Sequence, residues 1–224
     1  MLDRYTIKMI RKPLQLLANK ANERGIKADS ITLMGFIFGL LAFIAIVFQW
    51  YLVGLIFILT NRIFDGLDGA VARIQGISDA GGFLDITLDF IFYSLIPFAF
   101  VLALPQENSV AGAFLIFSFI GTGSSFLAFA TLASKRKIEN PVYQSKSLYY
   151  IGGLAEGTET IAFLVLLCLL PQYFSALAIT FSLLCWITTF SRIWAGYHTL
   201  KTHEQTLTTE TKTNTTAPSN SGKI

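Results

Sequence analysis

The sequence is poor in charge. Asp, Glu, Lys and Arg supply only 14% of its 224 residues, against about a quarter in an average soluble chain. Apolar residues make up 53%, and the mean hydropathy is +0.58. Together these values exclude an ordinary water-soluble domain. Cysteine is nearly missing: Cys168 and Cys185 both lie inside apolar runs, in no metal-site or disulfide spacing, so a zinc or disulfide framework is excluded. Basic residues are not interleaved with aromatics, as a single-stranded nucleic-acid groove requires, and no nucleic-acid partner is expected. The N-terminus lacks a short apolar core followed by a small-residue cleavage site, so no removable signal peptide is expected either.

What is present is apolar length. Runs at about 31–51, 82–104, 111–133, 158–170 and 174–200 suit helices crossing a bilayer. Another begins near Leu52, is apolar to Leu59, and then turns polar at Thr60-Asn61-Arg62, so that helix must project from the bilayer or line a polar cavity. Six spans are counted this way in an all-α chain. Phe, with 20 residues, suits lipid-facing surfaces and interface belts. Ahead of the first span, residues 1–22 read as an amphipathic helix, with Leu2, Tyr5, Met9, Ile10, Leu14 and Leu17 towards one side and basic residues towards the other. Such a helix lies in the membrane surface or packs on protein.

The net charge of +3 acquires meaning when mapped. Arg4, Lys8, Arg11, Lys12, Lys20, Arg24 and Lys27 precede the first span, and Lys135, Arg136, Lys137 and Lys146 fall on the same side of the layout. The turns at Gln49-Trp50, 105–109 and Pro171-Gln172 carry neither Lys nor Arg. The positive-inside rule then places both termini in the cytoplasm. The organisation expected is an interfacial helix over 1–22, a six-span domain over 28–202 and a disordered Thr/Ser-rich tail over 203–224.

Chemistry concentrates in Asn61-Arg62-Ile63-Phe64-Asp65-Gly66-Leu67-Asp68-Gly69-Ala70-Val71-Ala72-Arg73 and in Gly81-Gly82-Phe83-Leu84-Asp85-Ile86-Thr87-Leu88-Asp89. Charges inside spans are costly and are functional candidates by default. Asp65 and Asp68 stand i,i+3 on one helix, and Asp85 and Asp89 i,i+4 on the next, so each pair shares a face and a short turn lets the pairs converge. Taken singly, any of them could cap a helix or pair with Arg62 or Arg73. Clustered carboxylate oxygens suit Mg²⁺ or Mn²⁺, and two such ions could clamp a diphosphate. Gly69 and Ala72 leave open space beside the acids, and Arg73 offers a forked donor to phosphate. His198 and His203, at the end of the last span, read as solvated. Gly121-Thr122-Gly123-Ser124-Ser125 reads as a close helix-packing patch.

The pattern Asp-x-x-Asp-Gly-x-x-Ala-Arg-x7-Gly-x-x-x-Asp-x-x-x-Asp, running from Asp65 to Asp89, resembles the signature of the CDP-alcohol phosphatidyltransferases at every fixed position. The resemblance covers nearly everything before the tail and points to a poorly characterised bacterial inner-membrane subgroup. It implies a multi-pass inner-membrane enzyme of phospholipid biosynthesis, a homodimer. Its CDP-alcohol donor lipid would be CDP-diacylglycerol or similar, and the acceptor an alcohol. It assigns Asp65, Asp68, Asp85 and Asp89 to two Mg²⁺ or Mn²⁺ ions and makes Asp89 the general base. Gly69, Ala72, Arg73, Ser78 and Thr32 would border the donor. Asp29 stands where the family often has Asn, which replaces an amide donor by an acceptor.

The acceptor side is less standard. Glu156 and Glu159 stand i,i+3 at the entry to the fifth span, with Lys146 upstream. Related enzymes often receive an acceptor phosphate there on basic residues; two acids favour a polyhydroxylated or amine-bearing acceptor, or else form interfacial caps and salt bridges. Two other classes compete with the transferase reading: a cation-coupled transporter, which would show repeated halves with interrupted helices, and a non-catalytic lipid-binding scaffold, which need not keep every acid.

Overall fold

The computed structural model describes residues 3–136 and 155–216, and these are helical almost throughout. The described elements are α1 (Asp3–Glu23), α2 (Ala28–Val47), α3 (Tyr51–Gln75), α4 (Asp79–Ala103), α5 (Pro105–Lys135), α6 (Gly157–Leu169), a 3-10 turn (Pro171–Tyr173) and α7 (Phe174–Thr216).

Each early boundary has a local cause. After α1, Gly25 takes φ +69, and the Ile26 N–H reaches back to the Ala21 carbonyl at 3.1 Å. Gln75, the last residue of α3, holds this turn in place: its amide donates to Asn22 Oδ1 at 3.1 Å and to the Ile26 carbonyl at 2.8 Å. α2 stops at Val47, earlier than expected, because Gln49 adopts φ 63 and lets the Trp50 N–H bond the Ala45 carbonyl at 2.8 Å. A left-handed non-glycine residue is uncommon, so no composition signal marks this stop. α5 starts at Pro105 rather than near 111, since proline at the first helical position is pre-set for the helix and gives up an N–H that would be orphaned anyway. Ser78 caps α4 by accepting the Gly81 N–H at 3.1 Å. The backbone of α7 continues to Thr216, past the boundary near 203 where composition stops favouring burial; extending a nucleated helix needs no new nucleus.

Four helical stretches are long and apolar enough to cross a bilayer among the described residues: Ala28–Val47, Asp79–Ala103, Pro105–Lys135 and Pro171–His203. This is fewer than the six spans counted from sequence. α6 has only 13 residues, about 20 Å at 1.5 Å per residue, and the second half of α3 is polar. Their surfaces are apolar outside as well as in. Leu33, Ile37, Leu40 and Ile44 on α2, and Ile179, Leu183, Ile187 and Phe190 on α7, are all exposed, as lipid-facing stripes are and water-facing stripes are not.

The core lies towards the end formed by the turns at 48–50, 104 and 170–173. There Tyr51 stacks on Phe100 at 5.5 Å and Phe100 on Phe174 at 5.0 Å. Towards the other end α2, α3 and α4 approach through small residues. A Cβ on Gly35 would stand 2.9 Å from the Phe64 Cβ, and one on Gly39 would stand 2.9 Å from the Phe92 ring, so this Gly-x-x-x-Gly pair sets how closely the three helices meet. α1 packs beneath α3 through Ala18, fully buried with Ile31, Ala70 and Val71. Leu14 faces Gly66, whereas Leu17, expected on the same apolar side, is exposed beside Leu16. The patch 121–125 packs as expected: Gly121 meets Thr189 and Trp186 of α7, and Gly123 meets Phe90 of α4.

Candidate active site

Gly35 opens the α2 backbone to a neighbour, and Asn61 of α3 uses the opening. Its amide is buried and donates to the Gly35 carbonyl at 2.8 Å. The Asn61 Oδ1 then accepts from Arg62 Nε at 2.7 Å. This fixes the Arg62 guanidinium over the Phe92 ring, 4.3 Å from its centroid, and beside Tyr93, whose hydroxyl accepts from Arg62 Nη1 at 3.1 Å. Nη1 also lies 2.7 Å from Asp89 Oδ1 and 3.7 Å from Asp65 Oδ2. The Arg62 side chain is only 9% exposed, and a buried guanidinium without such partners would be strongly unfavourable.

One turn on from Asp65, Asp68 is buried, and neither of its carboxylate oxygens makes a well-formed hydrogen bond. With Asp85 and Asp89 from α4 and Thr32, Gly35 and Phe36 from α2, these residues line one open cavity. All four aspartates therefore face one space. Thr32 enters from the first turns of α2, where its hydroxyl donates to the Ala28 carbonyl at 3.2 Å. Ionised, the cavity holds four negative charges against one guanidinium, in surroundings that screen far less than water.

As the side chains stand, no three Asp, Glu, His or Cys groups among the described residues are close enough to hold one ion together. The donor chemistry nevertheless fits a hard divalent cation: the set is all oxygen, it carries excess negative charge, and the two buried oxygens of Asp68 make no well-formed hydrogen bond. Bringing three of these groups onto a shared ion requires side-chain movement.

The other site candidates lie around this cavity and do not line it. Gly69 and Ala72 continue α3, and Arg73 is exposed with an Nη1 that would be 3.5 Å from a Cβ at Gly69. Open backbone and a flexible guanidinium thus sit side by side next to the acids. Ser78 is engaged as the α4 cap. The Asp29 carboxylate stands against the first turn of α4, 2.9 Å from where a Gly81 Cβ would be, a favourable place for an anion at a helix N-terminus. Glu156 is buried just before α6, and its carbonyl accepts the Thr160 hydroxyl at 2.7 Å. Glu159 sits in the first turn of α6, and Lys146 falls outside the described residues. His198 is exposed between Trp194 and Tyr197, as expected, whereas His203 is half-buried rather than solvated.

A family model described as CDP-alcohol phosphatidyltransferase matches residues 26–194. The chain belongs to the CDP-alcohol phosphatidyltransferase family. Inner membrane protein YnjF of Escherichia coli (strain K12) is 54% identical over 201 residues, covering 90% of this chain and 98% of YnjF. Archaetidylinositol phosphate synthase of Pyrococcus horikoshii is 35% identical over 81 residues, 36% of this chain and 43% of the synthase. Among solved structures, Mycobacterium tuberculosis phosphatidylinositol phosphate synthase (PgsA1) shares the fold, at TM-score 0.62 and 17% identity over 82% of this chain. It has been seen with CDP-DAG bound, covering 93% of that chain, and in complex with manganese and citrate, covering 88%.

Within this member of the family, Asn61, Arg62 and Tyr93 form a layer behind the aspartates; the sequence offered Arg62 only as a possible partner of a single acid and gave Asn61 and Tyr93 no role. The available signal was Arg62 itself, a charge three residues after an apolar run that ends at Leu59.

Proposed function

We propose that the protein transfers a phosphatidyl or phospho-alcohol group from a CDP-alcohol to an acceptor hydroxyl and releases CMP. The observation that carries the reading is the convergence of Asp65, Asp68, Asp85 and Asp89 on one cavity, beside the small residues of α3. The donor lipid is CDP-diacylglycerol, its nucleotide lying along Gly69 and Ala72 with Arg73, Ser78, Thr32 and Asp29 around it. The acceptor oxygen forms a bond to the β-phosphorus, the bond from that phosphorus to the bridging oxygen breaks, and CMP departs. Asp89 takes the hydroxyl proton. Two Mg²⁺ or Mn²⁺ ions held by the four aspartates supply charge neutralisation for the diphosphate.

In the membrane, α2 to α7 act as six spans, α3 lining the polar cavity and α6 crossing with help from its neighbours. α1 lies at the interface, with Leu16 and Leu17 turned to lipid. The basic N-terminus and Lys135-Arg136 favour an inner-membrane protein with cytoplasmic termini, and the family resemblance favours a homodimer. Purified protein given labelled CDP-diacylglycerol and a screen of hydroxyl acceptors is expected to release CMP in an acceptor-dependent way. A transporter or a silent scaffold would release none with any acceptor.

Glu156 and Glu159 form the acceptor side, in a pocket for a polyhydroxylated or amine-bearing molecule, and Lys146 is assigned to the same side from the sequence alone. Glu159→Gln is expected to raise the acceptor KM about tenfold, the effect of one lost charge-assisted hydrogen bond, with the donor KM unchanged. If instead both KM values rise together and the melting temperature drops, Glu159 serves α6 as a structural group and the pocket lies elsewhere.

A further inference from the structure

Among the described residues, Arg62 is the one basic side chain that lines the aspartate cavity, and it is held there from several directions. Asn61 Oδ1 takes Nε, the Tyr93 hydroxyl takes Nη1, and Phe92 covers the guanidinium face. Asn61 is itself fixed on the Gly35 carbonyl. A group this constrained is not a free hand for substrate phosphate. Its charge is permanent, because a guanidinium does not lose its proton in a protein. Of the four aspartates it lies nearest Asp89, at 2.7 Å, with Asp65 next at 3.7 Å.

We propose that Arg62 is a resident cation of this site and the positioning residue for Asp89. Resting on the transferase reading above, it fixes one carboxylate oxygen of Asp89 against α3 and leaves the other directed to the acceptor hydroxyl. It also offsets one negative charge, which keeps the carboxylates together before any divalent ion arrives and limits how strongly that ion is then held. An arginine is required because a lysine ammonium, a point charge without a planar fork, cannot engage Asn61, Tyr93 and Asp89 from one fixed plane.

The test uses the full chain purified in detergent, with Arg62→Lys, Arg62→Gln and the pair Arg62→Gln/Asp89→Asn. Arg62→Lys is expected to keep the CDP-diacylglycerol KM within about twofold while kcat falls at least tenfold, the signature of an interaction used in the chemical step rather than in donor binding. Without metal, Arg62→Gln is expected to melt lower than wild type, and adding Asp89→Asn to it is expected to recover part of that loss, since the pair then removes the nearest stranded carboxylate and leaves only the more distant Asp65. The Mn²⁺ concentration giving half of the metal-induced rise in melting temperature is expected to be at least about fivefold lower in Arg62→Gln than in wild type, because the site has lost a positive charge. Wild-type kcat in Arg62→Lys, or a melting loss in Arg62→Gln that is the same with and without Mn²⁺ and untouched by Asp89→Asn, would overturn the proposal and leave Arg62 as packing. If wild type releases no CMP and gains no stability from Mn²⁺, the transferase reading is what fails; the metal-free melting curves then still support or refute the Arg62–Asp89 coupling.

Discussion

Excess EDTA is expected to reduce CMP release to background, and Mg²⁺ or Mn²⁺ added beyond the chelator is expected to restore it. The expected loss is on the order of a thousandfold or more, since a divalent ion contributes several kcal/mol to stabilising the charge of a phosphoryl transfer and each 1.4 kcal/mol is about tenfold in rate. The geometry dictates the sign. Asp65, Asp68, Asp85 and Asp89 line one cavity with a single guanidinium, so a diphosphate entering alone would add negative charge to a space already dominated by carboxylates. Asp68 strengthens the case, because both of its buried oxygens lack a well-formed hydrogen bond. The check is an initial-rate assay across a metal titration with a melting curve alongside. Undiminished transfer in excess chelator would remove the two-ion reading entirely.

Asp89→Asn is expected to lower kcat by about 10²–10⁴-fold, the range that general base catalysis contributes, while CDP-donor affinity changes little. Arg73→Ala is expected to do the opposite, raising the donor KM about tenfold with a smaller effect on kcat, since its exposed guanidinium lies beside Gly69 and not in the cavity. The Asp89 variant also disturbs structure. Arg62 loses its 2.7 Å partner and keeps only Asp65, at 3.7 Å, and breaking a buried ion pair costs roughly 3–5 kcal/mol when one charge is stranded. Rates should therefore be compared well below the lowered melting point. Near-normal turnover in Asp89→Asn would transfer the proton-accepting role to another group.

Much of the architecture was legible because bilayer-length apolar runs are written directly in composition. The aspartates were legible because i,i+3 and i,i+4 spacings put each pair on one face whatever the helices do next. What could not be read depends on how one helix is rotated against another. Nothing local to Asn61-Arg62 says that Gly35 of α2 will offer a carbonyl, or that Phe92 and Tyr93 of α4 will bracket the guanidinium. A turn at Gln49-Trp50 was legible, but that the helix ends at Val47, short of the apolar run, depends on Gln49 taking φ 63, a conformation that glutamine does not advertise. Pro105 was legible as a break in α4, yet its second meaning, the start of α5, needed the helix to be seen.

The close approach of α2, α3 and α4 through Gly35 and Gly39 carries a lesson for redesign. A Cβ at either position would run into Phe64 or Phe92, and Phe92 is the surface on which Arg62 rests. Library diversity spent on that trio would mostly yield chains that fail before substrate choice is tested. α6 packs against α3 less extensively than α2 does. Someone wishing to retarget the protein to another alcohol should randomise there and leave the glycine-lined trio untouched.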